Sequence, residues 1–491
     1  MTVKGRQHPI KLFSYTTKYF WLLIIPVLRS LYAIFFEGDS WERWITGAWL
    51  DLLVLAAIIG FAYLRWSSVE FMFDDKSLTV QKGIFFTVSE RVFYPQISTV
   101  SIYQGFLYRA LGACTVKIGT NAGMLDKADV SIVMKRSDAD KFYQAMRASR
   151  VKSLNYSVSP NKLRLFVFSF IFSSSFSGVA LIIALLLEAG SMIDRRAEAQ
   201  FVLNTLTEAL NKAAIYVPPI LAGVALFLGI TWVLSFASNI FYFWDHILTK
   251  CSDTLYIRSG LITKRRSIIS LDKINFVDFR QNLLARLFKI SSLNVHAAGF
   301  GDTGRSEMSA IMPITTKKEL VSTIREVFPE YPAPKITLRS DIKSYKGFYV
   351  WPFWCLIIPL CGFWVLKNYA AEWYAVAEPA MIISLIPALW LTIVKTAALF
   401  STGIGFEKGY VSLRYAKFFT FHTVIMPKSR ITKLELRQSV FQRINGTCTL
   451  KIYSAADSKK VHRIHGLRMD RAMNMLDNNG YDLYFTENPE G

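Results

Sequence analysis

The chain is poor in cysteine and in acidic residues. Its five cysteines, Cys114, Cys251, Cys355, Cys361 and Cys448, are scattered and odd in number, and no C-x-x-C or Cys/His metal spacing occurs. Neither a disulfide framework nor a zinc site is therefore indicated. Asp and Glu total 36 against 57 Lys and Arg, a formal net charge of +21. No nucleophile–base constellation stands out, so no enzyme is expected, and no catalytic residue, cofactor or metal ligand.

Apolar residues are abundant, at 52% of 491, and mean hydropathy is +0.29. A basic chain with long apolar runs points to a membrane protein with charged parts on one side, not to a nucleic-acid binder. Six segments approach the ~20 residues a spanning helix needs: 19–36, 45–64, 165–187, 215–240, 349–366 and 379–400. They come in pairs, each followed by a long polar stretch. The first is no cleavable signal, because Arg29 interrupts it and no A-x-A-like site follows. The links within pairs, 37–44, 188–214 and 367–378, hold five of the 57 basic residues (Arg43, Arg195, Arg196, Lys212 and Lys367). The positive-inside rule then puts the links outside and both termini and the polar stretches on the cytoplasmic side.

The polar stretches are copies of one unit. ISTVSIYQGFLYRALGACTVKI starts at Ile97, INFVDFRQNLLARLFKISSLNV at Ile274 and ITKLELRQSVFQRINGTCTLKI at Ile431. Each has Ile, Gln seven residues on (Gln104, Gln281, Gln438) and Arg five further on (Arg109, Arg286, Arg443). Threefold identical spacing makes this an internal repeat. Each copy reads as short alternating strands closed by a helix, SDADKFYQAMRA, TTKKELVSTIREVF and MDRAMNML, with Ser137 and Thr315 as N-cap candidates. Gly83 and Gly260, fourteen residues before the repeat Ile, suit hairpin turns, whereas the third copy has Lys417 there. The single G-x-G-x-x-G match, GFGDTG at Gly299–Gly304, follows the strand LNVHA and leads into RSEMSAIMPI, a second strand. Without a following helix it reads as a hairpin loop, not a phosphate cradle.

Paired spans followed by this Ile-x6-Gln-x4-Arg unit resemble the bacterial pleckstrin-homology membrane proteins of the YdbS/YdbT type, in its long three-unit form. The resemblance implies a multi-pass helical membrane protein with three cytoplasmic β-rich pleckstrin-homology-like domains, each capped by a C-terminal helix. It also implies a shorter single-domain companion and a link to resistance against membrane-active antimicrobials. The expected layout is an N-terminal arm (1–18), hairpin 1 (19–65), domain 1 (66–150), hairpin 2 (162–245, outer loop 188–214), domain 2 (246–330), hairpin 3 (348–400) and domain 3 (401–480).

Three groups of residues are candidates for more than folding. The repeated Gln and Arg read first as a structural device satisfying backbone groups and second as a ligand site. Arg29 and Asp51 fall at similar depth on adjacent antiparallel spans, where an uncompensated charge is costly, so they are expected to pair, as a lock or as part of an ion path. Lys264, Arg265 and Arg266 form a basic cluster suited to anionic lipid headgroups. The expected function is an inner-membrane scaffold binding partner proteins, anionic lipids or both, in envelope stress or antimicrobial-peptide resistance. The alternative is a transporter or lipid-moving protein with the domains as cytoplasmic gates.

Overall fold

The computed structural model describes residues 3–19, 49–120, 129–148, 156–173, 219–297, 300, 310–370, 374–407, 409–454 and 461–481. The same order of elements recurs three times. The first repeat runs β1 (Val3–Arg6), α1 (Ile10–Tyr19), α2 (Trp49–Ser67), β2 (Glu70–Phe73), β3 (Ser77–Lys82), β4 (Val88–Phe93), β5 (Ile97–Gln104), α3 (Phe106–Ala110), β6 (Ala113–Thr120), β7 (Val130–Lys135) and α4 (Arg136–Ala148). The second runs β8 (Tyr156–Val158), α5 (Lys162–Phe172), α6 (Pro219–Phe243), β9 (Ile247–Cys251), β10 (Thr254–Ser259), β11 (Lys264–Ser270), β12 (Ile274–Asn282), α7 (Leu283–Leu287), β13 (Ile290–Ala297), β14 (Ala310–Thr316) and α8 (Lys317–Val327). The third runs β15 (Leu338–Arg339), α9 (Tyr345–Tyr369), α10 (Tyr374–Ser401), β16 (Gly403–Glu407), β17 (Tyr410–Lys417), β18 (Thr420–Pro427), β19 (Ile431–Arg437), α11 (Val440–Ile444), β20 (Thr447–Ser454), β21 (Val461–Arg468) and α12 (Met469–Asp477).

Each repeat thus begins with a strand ahead of its first two helices. Val3–Arg6 pairs antiparallel with Glu70–Phe73, more than sixty residues on, Val3 opposite Phe73 and Arg6 opposite Glu70. Lys4 and Arg6 both pair with Glu70 at 3.1 Å. The expected N-terminal arm is therefore a strand of domain 1, and Leu338–Arg339 pairs likewise with β16. Among the described residues three helices are long and apolar enough to cross a membrane, over Leu226–Phe243, Ile342–Tyr369 and Ala380–Ser401, with a shorter apolar helix over Leu52–Ser67. The count of six spans is not established by these, since residues 20–48 and 174–218, with Arg29 and the outer loop 188–214, lie outside the described residues, and Asp51 falls on α2 without a described side chain.

Four sheets result, ordered β1-β2-β3-β4, β7-β6-β5-β11-β10-β9-β8, β14-β13-β12-β18-β17-β16-β15 and β19-β20-β21. The three C-terminal strands of one repeat and the four N-terminal strands of the next form one continuous seven-stranded sheet, twice over. The chain divides into two compact units, the first comprising 1–157, 249–273 and 297–305, the second 158–248, 274–296 and 306–491. In the first, α4 turns Ala139, Phe142 and Met146 inward at helical spacing onto Phe73, Leu78, Ile97, Val116 and Met134, all buried. In the second, Ala472 and Leu476 of α12 are likewise fully buried. Burying a side chain of Phe or Met size contributes about 1.5–3 kcal/mol, which is why the terminal helix of each repeat is needed to close it.

Local chemistry explains the element ends. α8 starts at an N-cap, Thr316, whose hydroxyl accepts from Glu319 N while Glu319 receives Thr316 N–H. Thr315, the expected cap, is one residue early and buried, its hydroxyl donating to the Ser291 carbonyl at 2.9 Å; Ser137 lies inside α4. The strands flanking GFGDTG, β13 and β14, are antiparallel neighbours, the arrangement of a hairpin and not of a βαβ unit.

Gly83 and Gly260 adopt φ +133° and +101°, and a Cβ there would meet the carbonyl oxygens of Phe86 and Thr263. In the third repeat a tighter turn joins Lys417 to Thr420, with Phe418 taking the positive φ of 49°, so no glycine is needed at Lys417. Gly260→Ala should destabilise its hairpin by roughly 1–3 kcal/mol, read as a lower thermal midpoint in detergent. Phe418→Gly should raise the midpoint, because it relieves a left-handed residue that has a side chain.

Candidate functional site

The repeated glutamine performs one task three times. Its Nε2 donates to the backbone carbonyl nine residues on: Gln104 to Ala113 at 3.3 Å, Gln281 to Ile290 at 2.7 Å and Gln438 to Thr447 at 2.9 Å. This bond clamps the start of β6, β13 or β20 against the strand before it, across a short helix. The repeated arginine is separated from that role. Arg109, Arg286 and Arg443 stand in the last turn of α3, α7 and α11, and all three are exposed. The expectation that both members satisfy buried groups therefore holds for glutamine alone.

What accompanies the arginines is apolar and exposed. Phe106, Leu107 and Leu111 project from the first short helix, Leu287 and Phe288 from the second, Val440, Phe441 and Ile444 from the third. α7 and α11 lie beside the ends of membrane-type helices, and α3 lies beside the segment before α1. Arg286 Nη1 donates to the hydroxyl of Ser401, the last residue of α10, at 3.4 Å. Asn445 Nδ2 donates to the Lys343 carbonyl at 3.2 Å, and Lys346 Nζ lies 5.6 Å from the Phe441 ring centre, at the start of α9. Leu111, just after α3, is a backbone neighbour of the His8 imidazole, two residues before α1. A second apolar tip per repeat comes from a hairpin turn, with Phe85 and Phe86, Leu261 and Ile262, or Phe418 exposed. Apolar side chains beside arginine at the ends of spanning helices suit the headgroup boundary, where the rings and aliphatic chains leave water and the guanidinium stays in it.

The basic cluster Lys264–Arg266 is placed elsewhere. It lies on β11 in the joint with β5, Lys264 opposite Gln104 and Arg266 opposite Ile102. Arg266 Nη1 donates to Asp140 at 2.7 Å and Arg265 sits 5.5 Å from the Tyr103 ring centre. Arg265 and Arg266 are thus engaged within the protein, whereas Lys264 is half-buried on the same strand.

The joint of β12 with β18 holds a buried polar network that no sequence motif marks. Arg280 Nε donates to Asp278 at 2.7 Å and its Nη2 to His296 Nε2 at 2.9 Å. His422 Nδ1 donates to the same carboxylate at 3.0 and 3.2 Å. Tyr415 Oη and His462 Nδ1 are 2.9 Å apart. Register explains the convergence: Arg280 is opposite His422 on the next strand, and Tyr415 is opposite His422 on the strand after. Burial opposes ionisation of Asp278, but His422, Arg280 and His296 outweigh it and hold the carboxyl far below the usual carboxylate range. Burial, reinforced by that negative charge, pushes the Tyr415 phenol far above its ordinary value. The residues line a cavity of about 480 Å³ that Phe168 and Phe172 of α5 also line. At the equivalent place in the first joint, Ser101 and Ser267 share a hydrogen bond of 3.0 Å. Among the described residues no cluster of His, Cys, Asp and Glu is arranged to hold a metal ion.

A family model for the bacterial PH domain matches residues 22–150, 200–327 and 356–479. The chain belongs to the bacterial PH-domain family and is a membrane protein with three such domains. It is similar to the transmembrane protein YdbT of Bacillus subtilis (strain 168), at 22% identity over 334 residues, 63% of this chain and 66% of the relative. The match thus spans just under two thirds of that relative's length. No solved structure matches the chain. The first strand of each repeat, β1, β8 and β15, lies outside all three matched ranges.

Proposed function

We propose that this protein is a membrane-bound scaffold whose PH-like domains sit on the inner leaflet and present joined sheets to the cytoplasm. The observation that carries this reading is the threefold recurrence of an exposed apolar short helix with an arginine, each beside the end of a membrane helix or the segment leading into one. In water such tips would expose apolar surface at no benefit; at a bilayer they contribute attachment that anionic headgroups strengthen through the arginine. The family resemblance extends the reading to protein partners, a shorter single-domain companion among them, and to envelope stress or antimicrobial-peptide resistance.

The test places a fluorophore on single cysteines at Leu287, Phe441 or Glu330 in full-length protein reconstituted in nanodiscs with anionic lipid. Glu330 precedes Tyr331, whose ring packs on Tyr410 at 4.9 Å, beyond the end of β16 that is remote from Ser401. Lipids spin-labelled near the headgroup should quench the probes at 287 and 441 and spare the one at 330. Equal quenching at all three, or none, rejects the lipid-seated scaffold.

A further inference from the structure

Among the described residues, two of the edge strands are the two halves of a joint that the chain makes twice. In the first joint β5 pairs antiparallel with β11, Val100 opposite Ile268. In the second β12 pairs with β18, Val277 opposite Ile425. Counted from the repeat isoleucines Ile97 and Ile274, these are the same positions, so the register is identical. The strand corresponding to β5 and β12 in the third repeat is β19, and the strand corresponding to β11 and β18 in the first repeat is β4. Among the described residues each ends its sheet, with a neighbour on one side only.

Burial separates joined from open edges. Seven of the eight residues of β5 and six of the nine of β12 are buried, but none of the seven in β19. Four of seven are buried in β11 and none of six in β4. Ile97 and Ile274 are buried while Ile431 is only partly so. Val88 and Phe93 of β4 stand half exposed. An uncovered edge with free ladder groups is a template for another strand, and neither β4 nor β19 contains a proline.

We propose that β19 of one copy of this chain pairs antiparallel with β4 of a second copy, extending the sheet as the two internal joints do. Their register sets Leu434 opposite Arg91, Glu435 opposite Glu90, Arg437 opposite Val88 and Gln438 opposite Thr87. The two carboxylates that meet already carry their own lysines, Glu435 with Lys451 and Glu90 with Lys82, and Lys433 and Arg437 flank Glu90 diagonally. The same register brings α11 beside the Phe85–Phe86 turn, as the first joint brings α3 beside the turn before Lys264. Both apolar tips then lie at one level, as two copies in one membrane require. The two edges are complementary and not identical, so each copy offers one half of the joint to the other. This inference stands on strand register and does not rest on lipid contact by the tips.

The test uses full-length protein with all five native cysteines replaced, in two differently tagged versions co-expressed in membranes. One carries Val88→Cys and the other Arg437→Cys. Mild oxidation should link the two versions into a species of two chains on a non-reducing gel. Phe93→Cys with Arg437→Cys, five residues and ~17 Å out of register, should link only at background. Equal linkage of both pairs, no linkage of the in-register pair, or linkage only when both cysteines are in one chain overturns the proposal. Linkage of Val88→Cys to a different protein in place of the second copy overturns it as well.

Discussion

Asp278→Ala should destabilise the second unit by on the order of 3–5 kcal/mol, the cost of leaving buried charge uncompensated. Asp278 is only 3% exposed and accepts from Arg280 and His422 on two strands from different repeats. Its removal takes the carboxylate from the Arg280 guanidinium and the acceptor from His422. The loss should appear as a lower urea midpoint for protease resistance of the second unit in detergent. Ser101→Ala, at the equivalent place in the first joint, removes a neutral hydrogen bond and should cost about 1 kcal/mol. Replacing Asp278, Arg280 and His422 together by apolar residues of similar volume should recover most of the loss, since it removes the buried charges along with their pairing. Equal small effects of Asp278→Ala and Ser101→Ala would mean the network does not hold the joint.

Acidification from pH 7 to pH 5 should weaken the second unit through two buried histidines. Burial lowers His246 to about 4, against a weaker opposing effect of its hydrogen bond to the Ile311 carbonyl. Burial, aided by the positive charges of Lys395 and Arg463, lowers His465 to about 4 as well. Both are therefore neutral in the folded protein and gain a proton near pH 6.5 when it unfolds. Their contribution is full above pH 6.5 and is lost progressively as pH falls towards 4. At pH 5 the loss from each amounts to about 2 kcal/mol. Asp278 adds nothing to this change, because its carboxyl stays ionised throughout that range. Urea midpoints measured across pH 5–7 should fall with acid, and His465→Asn should flatten the slope by roughly half. A midpoint independent of pH would place both imidazoles in water.

The Ile-x6-Gln-x4-Arg spacing was enough to find three repeats, because the motif is local. Each repeat keeps one strand, one short helix and the next strand within 22 residues, and Gln104, Gln281 and Gln438 all reach a carbonyl nine residues away. The closing helices were legible for the same reason: apolar residues such as Ala139, Phe142 and Met146 recur on one helical face. Hairpin turns at Gly83 and Gly260 followed from the only residue type that tolerates their backbone without strain.

Long-range pairing was decided by the tertiary structure. Val3–Arg6 is four residues long and its partner lies more than sixty residues on, so no local pattern declares it a strand of domain 1. Lys264–Arg266 read as a lipid-facing cluster because a run of charge looks solvated, until pairing with β5 supplied Asp140 and Tyr103 as neighbours. Asp278 and His422 are 144 residues apart and belong to different repeats; only the register of β12 with β18 makes them partners. Composition and spacing thus determined the membrane character, the number of domains and their internal chemistry, all of which act over one or two elements. Which strands lie edge to edge, which charges are buried and which edges remain open depend on contacts between repeats, whose backbone hydrogen bonds form whatever the side chains and leave no periodic mark in the chain.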